Sequence, residues 1–145
     1  MLIDYSDTET SARSISLASN MESIEAGEDF ISKLKDEYSL NEGCFTCIWI
    51  AMHEALSNAI VHGNKFNAIK KVTLSAETKY ERYLCFTVKD EGEGFDFANV
   101  PDPTSPDLIG EPNGRGVYLI NKLADIVNFS NEGRIVEMCF DMYKN

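Results

Sequence analysis

The sequence predicts an α+β fold of two layers, in which helices cover one face of a mixed, mostly antiparallel sheet. Two observations predict it: short alternating runs typical of strands fall into adjacent pairs joined by tight turns, and three longer segments repeat apolar residues at helical spacing. A chain of 145 residues is large enough to bury a core. We therefore expect a single domain that spans residues 1–145.

The first half of the chain predicts one strand and two helices. Residues 12–19 alternate like a strand, and apolar residues then recur at helical intervals over residues 21–40. A second helix is predicted over residues 44–62. Gly63 and Asn64 would end it, because helices commonly end at a residue that tolerates positive φ.

The second half predicts two hairpins that flank an irregular segment and a helix. Residues 72–80 and 83–90 form the first hairpin, and residues 126–131 and 134–143 form the second. Between them, all four prolines and five of the nine glycines fall within residues 92–116. A long irregular segment inside a compact domain is commonly a functional lid or a disordered connector. A third helix, over residues 116–124, follows it.

Charge and hydropathy exclude several classes of function. Twenty-four acidic and thirteen basic residues give a formal net charge of −11, which repels phosphate backbones and argues against direct nucleic-acid binding. The apolar runs look too short to span a bilayer, and the N-terminus has no signal-peptide pattern. We expect no membrane association and a cytoplasmic location.

The four cysteines do not predict a metal site. Cys44 and Cys47 form a CxxC pair, but no second pair or suitably spaced histidine accompanies it. Cys85 and Cys139 fall inside predicted strands. We expect buried, reduced thiols.

The second helix carries a polar row, Glu54, Asn58 and His62, with members four residues apart. This spacing places the three side chains along one stripe of the helix, among apolar neighbours. A solvated polar face would give the same pattern. The alternative is a site in which the amide oxygen ligates a hard cation such as Mg²⁺ and the carboxylate accepts a proton.

Asp90 begins a second candidate site, the segment DEGEGFD. The alternation of the preceding strand places Asp90 on its core-facing side, where an unpaired carboxylate is costly and an amine on a ligand would be a suitable partner. Gly92 and Gly94 would let the backbone approach that ligand closely. An ordinary glycine turn after a strand is the other interpretation.

The third candidate is NGRGVYLI, in which Gly114, Arg115 and Gly116 precede the third helix. Free amides and the helix dipole at such a start attract phosphate oxygens, and Arg115 adds a cation. A glycine-rich hinge is the other interpretation. Neither a Walker loop nor a GxGxxG dinucleotide motif is present.

The order of these three motifs, with a proline-rich segment before the last, resembles that of the Bergerat-fold ATPases, which include gyrase, histidine kinases and the MutL repair proteins. The segment EALSNAIVHGN is most similar to that of the anti-sigma-factor serine/threonine kinases of bacterial partner-switching systems. The resemblance covers roughly residues 11–143 and implies a Bergerat ATP-binding fold with an ATP lid at about 96–113.

The resemblance also implies roles for individual residues. Glu54 corresponds to the catalytic base, and Asn58 to the ligand of a Mg²⁺ ion bound with ATP. Asp90 corresponds to the acceptor of the adenine amino group, with Gly92 and Gly94 shaping the adenine pocket. The remaining correspondences concern the phosphates: His62 would line the pocket near them, and Gly114, Arg115 and Gly116 would hold them.

By resemblance, the protein is a kinase that phosphorylates a serine or threonine of an anti-sigma-factor antagonist and sequesters a sigma factor, and it forms a homodimer. The alternative is a nucleotide-dependent switch that binds a partner without kinase activity, although such a switch would not need Glu54. A sensor histidine kinase would need a preceding helical segment with a phosphorylatable histidine. ATP hydrolysis coupled to work on DNA, as in gyrase or MutL, would need further domains. Many relatives carry a Gly-Thr pair near the adenine, whereas here Arg134 follows Gly133.

Overall fold

A computed structural model describes residues 13–95 and 114–144 of the chain. Its centre is a five-stranded sheet with the order β1-β2-β3-β5-β4. All four strand pairings are antiparallel, so the described sheet contains no parallel pair of the kind that a mixed sheet would have. The strands are β1 (Arg13–Ala18), β2 (Lys71–Lys79), β3 (Tyr83–Lys89), β4 (Ile126–Ser130) and β5 (Ile135–Asp141).

Three α-helices accompany the sheet: α1 (Glu22–Glu37), α2 (Glu42–Ser57) and α3 (Gly114–Leu123). Helix α2 begins where the Asn41 side chain accepts a hydrogen bond from the Cys44 amide at 2.7 Å, which is an N-cap. The helical path then continues beyond Ser57 as a π-helix, Asn58–Gly63.

The core lies between the helices and one face of the sheet. Alternate strand residues point to it, as period two requires, and so do the apolar residues of α1 and α2. The most deeply buried large side chains are Phe86, Phe140, Ile31, Leu34, Ile48, Met52, Leu56, Ile60, Leu74, Leu84, Ile120 and Met138. The predicted α+β class, with helices on one face of the sheet, is therefore confirmed.

Two predicted helix ends differ in the structure. Asn64 has φ −82°, and the positive φ values fall on Lys65 (52°) and Phe66 (58°) instead. The π-helix explains this shift, since the Asn64 amide bonds to Ala59 O, five residues earlier, and carries the helical path past Gly63. The third helix begins at Gly114, two residues before the predicted start.

By length and composition alone, one helical segment in the described ranges, Glu42–Gly63, could cross a membrane. The sequence had predicted that no apolar run was long enough, because the polar residues scattered along this segment break the runs. Ile48, Met52 and Ile60 on the segment are completely buried in the core. Of the apolar 18-residue window within this segment, 39% is buried inside the domain.

The cysteines differ from the prediction at two positions. Cys44 is a buried free thiol and Cys47 a partly exposed one, but Cys85 and Cys139 are joined by a disulfide. The register of β3 and β5 places these two residues directly opposite each other. The sequence alone identifies both strands but not their register, and so the pairing was missed.

The disulfide predicts a simple thiol count. Under denaturing, non-reducing conditions we expect two thiols per chain to react with a thiol reagent, and four after reduction. Because the bond links strands that are 54 residues apart in sequence, its reduction should lower the free energy of unfolding by about 2–4 kcal/mol. Four reactive thiols before reduction would contradict the pairing.

Candidate nucleotide-binding site

One cleft is lined by four of the nine predicted site residues, Asn58, His62, Asp90 and Gly94. It lies where the π-helix, the end of β3, α3 and the turn before β5 meet, and it encloses about 490 Å³ of space that opens to solvent. Its polar lining includes Asn58, His62, Asp90 and Arg134, and its apolar lining includes Val88, Val117, Ile120, Phe129 and Val136.

The π-helix places two members of the polar row in the cleft. Asn58 is its first residue, and both Asn58 and His62 line the cleft, His62 from an exposed position. Single-turn π-helices often occur at functional sites, because the wider turn re-aims side chains. Glu54 lies one turn earlier on α2 and is partly exposed, but it is not among the residues that line the cleft.

Asp90 lies directly after β3 and is partly buried. Its carboxylate accepts a hydrogen bond from the Gly92 amide at 2.8 Å. Burial raises the pKa of Asp90, whereas the Gly92 amide and the nearby Arg134 and Lys70 charges act in the opposite direction. A carboxylate in this setting would gain from a hydrogen-bond donor on a ligand, and the predicted contact with a ligand amine stays a prediction.

Glycines allow the close approaches around Asp90. A Cβ on Gly63 would lie 2.6–2.9 Å from the Asp90 carboxyl group, and a Cβ on Gly92 would lie 2.0 Å from Gly63 O. Gly94 has φ +85°, and a Cβ there would lie 2.3 Å from Glu132 O. Gly92 and Gly94 are therefore required for packing of the Asp90 loop, residues 90–95, whether or not a ligand is bound.

The third motif meets the first at the cleft. A Cβ on Gly116 would lie 2.4 Å from the Asn58 amide nitrogen, so the first turn of α3 packs directly on the Asn58 side chain. Gly114 and Arg115 are part of the same helical turn. The predicted role of the Arg115 side chain in phosphate binding stays a prediction, and the predicted lid at 96–113 lies outside the described residues.

Two features of the site were not predicted from sequence. Asn64 is buried, and its amide donates to Ser19 Oγ at 2.9 Å and Lys71 O at 3.0 Å while its oxygen accepts from the Glu91 amide at 2.8 Å. Asn64 thus ties the end of the π-helix to the Asp90 loop. The second feature is the Arg134 side chain, which contacts the same loop; the sequence marked its position but not its contacts.

The available donors suit a metal ion that is held mainly by its substrate. Within residues 13–95 and 114–144, no group of three or more His, Cys, Asp or Glu side chains could hold a metal ion. Mg²⁺ commonly takes only one or two protein ligands, together with waters and substrate phosphates. The Asn58 amide oxygen in the cleft fits that pattern.

The chain belongs to a family of ATPase domains: residues 17–140 match the family described as the histidine kinase-like ATPase domain. The resemblance to this family that the motifs indicated is therefore confirmed. The match covers most of the chain, including every candidate site residue.

Among individual proteins, the chain is similar to several called serine-protein kinase RsbW. It is 35% identical over 96 residues to the protein from Bacillus cereus (strain ATCC 10987), and 34% identical over 96 residues to those from Bacillus anthracis (strain CDC 684 / NRRL 3495) and Bacillus thuringiensis (strain Al Hakam). Each alignment covers 61% of this chain and 59% of the relative. The chain thus spans about three fifths of the length of these relatives.

The packing of Gly92 predicts a mutational effect on nucleotide binding. In Gly92→Ala the new methyl group would meet a backbone oxygen that cannot move alone, so the Asp90 loop must shift. Overpacking of this kind costs about 1–3 kcal/mol. If the loss of binding free energy is of that size, ATP affinity should fall by about 5- to 150-fold. Isothermal titration calorimetry measures the affinity.

Gly43→Ala is the matched control. Gly43 is exposed in the first turn of α2, and a Cβ there would have its nearest neighbour at 3.4 Å. This variant should bind ATP as the wild type does. Equal ATP affinity of Gly92→Ala and Gly43→Ala would refute the importance of this close approach.

Proposed function

We propose that this protein is an ATP-dependent serine/threonine-protein kinase of the anti-sigma type. It would phosphorylate a serine or threonine of an anti-sigma-factor antagonist and sequester a sigma factor in its other state. The similarity to proteins called serine-protein kinase RsbW supports this proposal. The observation that carries it is that Asn58 and Asp90 line one cleft, while Gly116, in the first turn of α3, packs against the Asn58 side chain.

In this proposal the two ends of the cleft have different tasks. Asp90 accepts a hydrogen bond from the exocyclic amine of adenine, and the apolar residues Val88 and Val136 lie beside the base. At the other end, the first turn of α3 offers backbone amides to the phosphates, with Arg115 as a local cation. Asn58 would hold Mg²⁺, which when bound neutralises phosphate charge.

Glu54 would be the general base for the serine or threonine hydroxyl that accepts the phosphate. It takes the proton as the serine oxygen forms its bond to the γ-phosphorus and the bond from that phosphorus to the β-phosphate oxygen breaks, which releases ADP. Glu54 lies four residues before Asn58, on the same stripe of the helix. It is partly exposed, so an acceptor that belongs to a separate protein can approach it from solvent. His62, exposed in the cleft, would line the phosphate end.

The direct test is phosphate transfer. Purified protein is incubated with Mg²⁺, ATP labelled at the γ-phosphate and each candidate antagonist protein from the same genome. Label on a serine or threonine of one antagonist is the expected result. Binding of ATP without transfer to any antagonist would favour the alternative, a nucleotide-dependent switch that binds its partner without kinase activity.

The remaining parts of the proposal concern the setting of the protein. We propose a homodimer in the cytoplasm, with no direct nucleic-acid binding and no membrane association. The net charge of −11 supports the absence of nucleic-acid contacts. Sedimentation of the protein with and without ATP would measure the oligomeric state.

A further inference from the structure

Arg134 stands directly before β5, and its side chain lies against the Asp90 loop. Nε donates to Gly92 O at 2.6 Å and Nη2 donates to Glu93 O at 2.9 Å. Nη1 donates to Asn131 O at 3.2 Å and to the Glu132 carboxylate at 3.1 Å. One guanidinium thus bridges the middle of the Asp90 loop and the turn between β4 and β5.

Main-chain hydrogen bonds fix the two ends of the same loop. The Asp90 amide donates to Arg134 O at 2.9 Å, and the Phe95 amide donates to Glu132 O at 2.8 Å. Between these points the chain passes through Gly92 and Gly94, which restrict the backbone least of all residues. The side chain of Arg134 contacts Gly92 O and Glu93 O, in the part of the loop where the glycines leave the backbone dihedral angles least restricted.

The geometry requires an arginine in particular. A guanidinium presents its donors in a rigid planar fork, so that neighbouring carbonyls can be held at a fixed spacing, whereas a lysine offers a single point charge on a flexible stem. The side chain of Arg134 is only 25% exposed, which limits competition from water. Burial raises the pKa of Asp90, and the charge of Arg134 acts in the opposite direction and so favours the ionised carboxylate.

We infer that Arg134 is a positioning residue for the nucleotide: it holds the backbone of Gly92 and Glu93 so that Asp90 is set in place for the adenine before ATP binds. This role rests on the proposed function of the cleft. It differs from a direct contact to the base, since the side chain acts on the ligand through the loop.

Three variants test this role: Arg134→Gln, Arg134→Lys and, as a matched control, Arg82→Gln. Like Arg134, Arg82 stands directly before a strand, here β3. Its Nε and Nη2 both donate hydrogen bonds to the Asp141 carboxylate, at 2.9 and 2.7 Å, and it does not line the cleft. The measurements are the affinity for ATP by calorimetry, hydrogen exchange of the amides of residues 91–95 without nucleotide, and the rate of transfer at saturating ATP.

For Arg134→Gln we expect ATP affinity to fall by about tenfold, as for a hydrogen-bond loss of ordinary size. Exchange at residues 91–95 should become faster, while transfer at saturating ATP stays close to the wild-type rate. Arg134→Lys should resemble Arg134→Gln, because it keeps the charge but not the fork. Arg82→Gln should unfold at a lower temperature yet bind ATP normally.

The outcomes separate this inference from the proposed function. Wild-type protein that binds no ATP would overturn both. Wild-type protein that binds ATP, with Arg134→Gln binding it equally well or exchanging no faster at residues 91–95, would overturn the role of Arg134 alone. Full affinity in Arg134→Lys would show that charge suffices, which contradicts positioning by the fork.

Discussion

Glu54→Gln should abolish phosphate transfer while leaving ATP binding intact. The amide has the size of the carboxylate but cannot take the proton of the acceptor hydroxyl. A positioned general base contributes about 10²- to 10⁴-fold, and we expect a loss in that range at saturating ATP. Because Glu54 is partly exposed and does not line the cleft, the substitution should change neither ATP affinity nor stability by much.

Glu25→Gln provides the control for Glu54→Gln. Glu25 is an exposed carboxylate on α1, so its neutralisation changes net charge equally without touching the cleft. Transfer by this variant should match that of the wild type. If Glu54→Gln transfers phosphate at the wild-type rate, Glu54 is not the general base, and the role proposed for it is wrong.

Asp90→Asn should weaken ATP binding by about 10- to 100-fold. Hydrogen bonds to charged groups contribute about 1.5–3 kcal/mol, and each 1.4 kcal/mol is a tenfold change in affinity. The fold should persist, because the asparagine oxygen can still accept from the Gly92 amide. The removed charge is one that burial disfavours, as the raised pKa of Asp90 indicates.

The same substitution should change base selectivity. Guanine presents a carbonyl oxygen where adenine presents an amine, and that oxygen would face the Asp90 carboxylate in the wild type. An asparagine amide can donate to it, so the ratio of ATP to GTP affinity should fall. Asp36→Asn, at an exposed position on α1, should leave both affinities unchanged, and unchanged selectivity in Asp90→Asn would place the base elsewhere.

The fold class and part of the lining of the candidate cleft were predictable from sequence because their signals are local. Alternation identified the strands, and the four-residue spacing of Glu54, Asn58 and His62 placed three side chains on one stripe. Two of these, Asn58 and His62, reach the cleft together with Asp90. Alternation along β3 also placed Asp90 correctly on the core-facing side, because the period of two residues continues one position beyond the end of the strand.

What the sequence missed depends on register and on long-range contacts. The pairing of Cys85 with Cys139 requires the alignment of β3 with β5, which alternation does not determine. The reach of Arg134 to Gly92 spans 42 positions, and no local pattern encodes it. The π-helix also depends on long-range contacts. Asn64, which follows its last residue, is hydrogen-bonded to Ser19, Lys71 and Glu91 in distant parts of the chain.

A crystal structure of the protein with Mg²⁺ and a non-hydrolysable ATP analogue tests the central claim most directly. The adenine amine should lie within hydrogen-bond distance of the Asp90 carboxylate, and the Asn58 oxygen should ligate the metal ion at about 2.1 Å. The triphosphate should meet the first turn of α3. A nucleotide bound outside this cleft, or with its base turned away from Asp90, would contradict the assignment of the site.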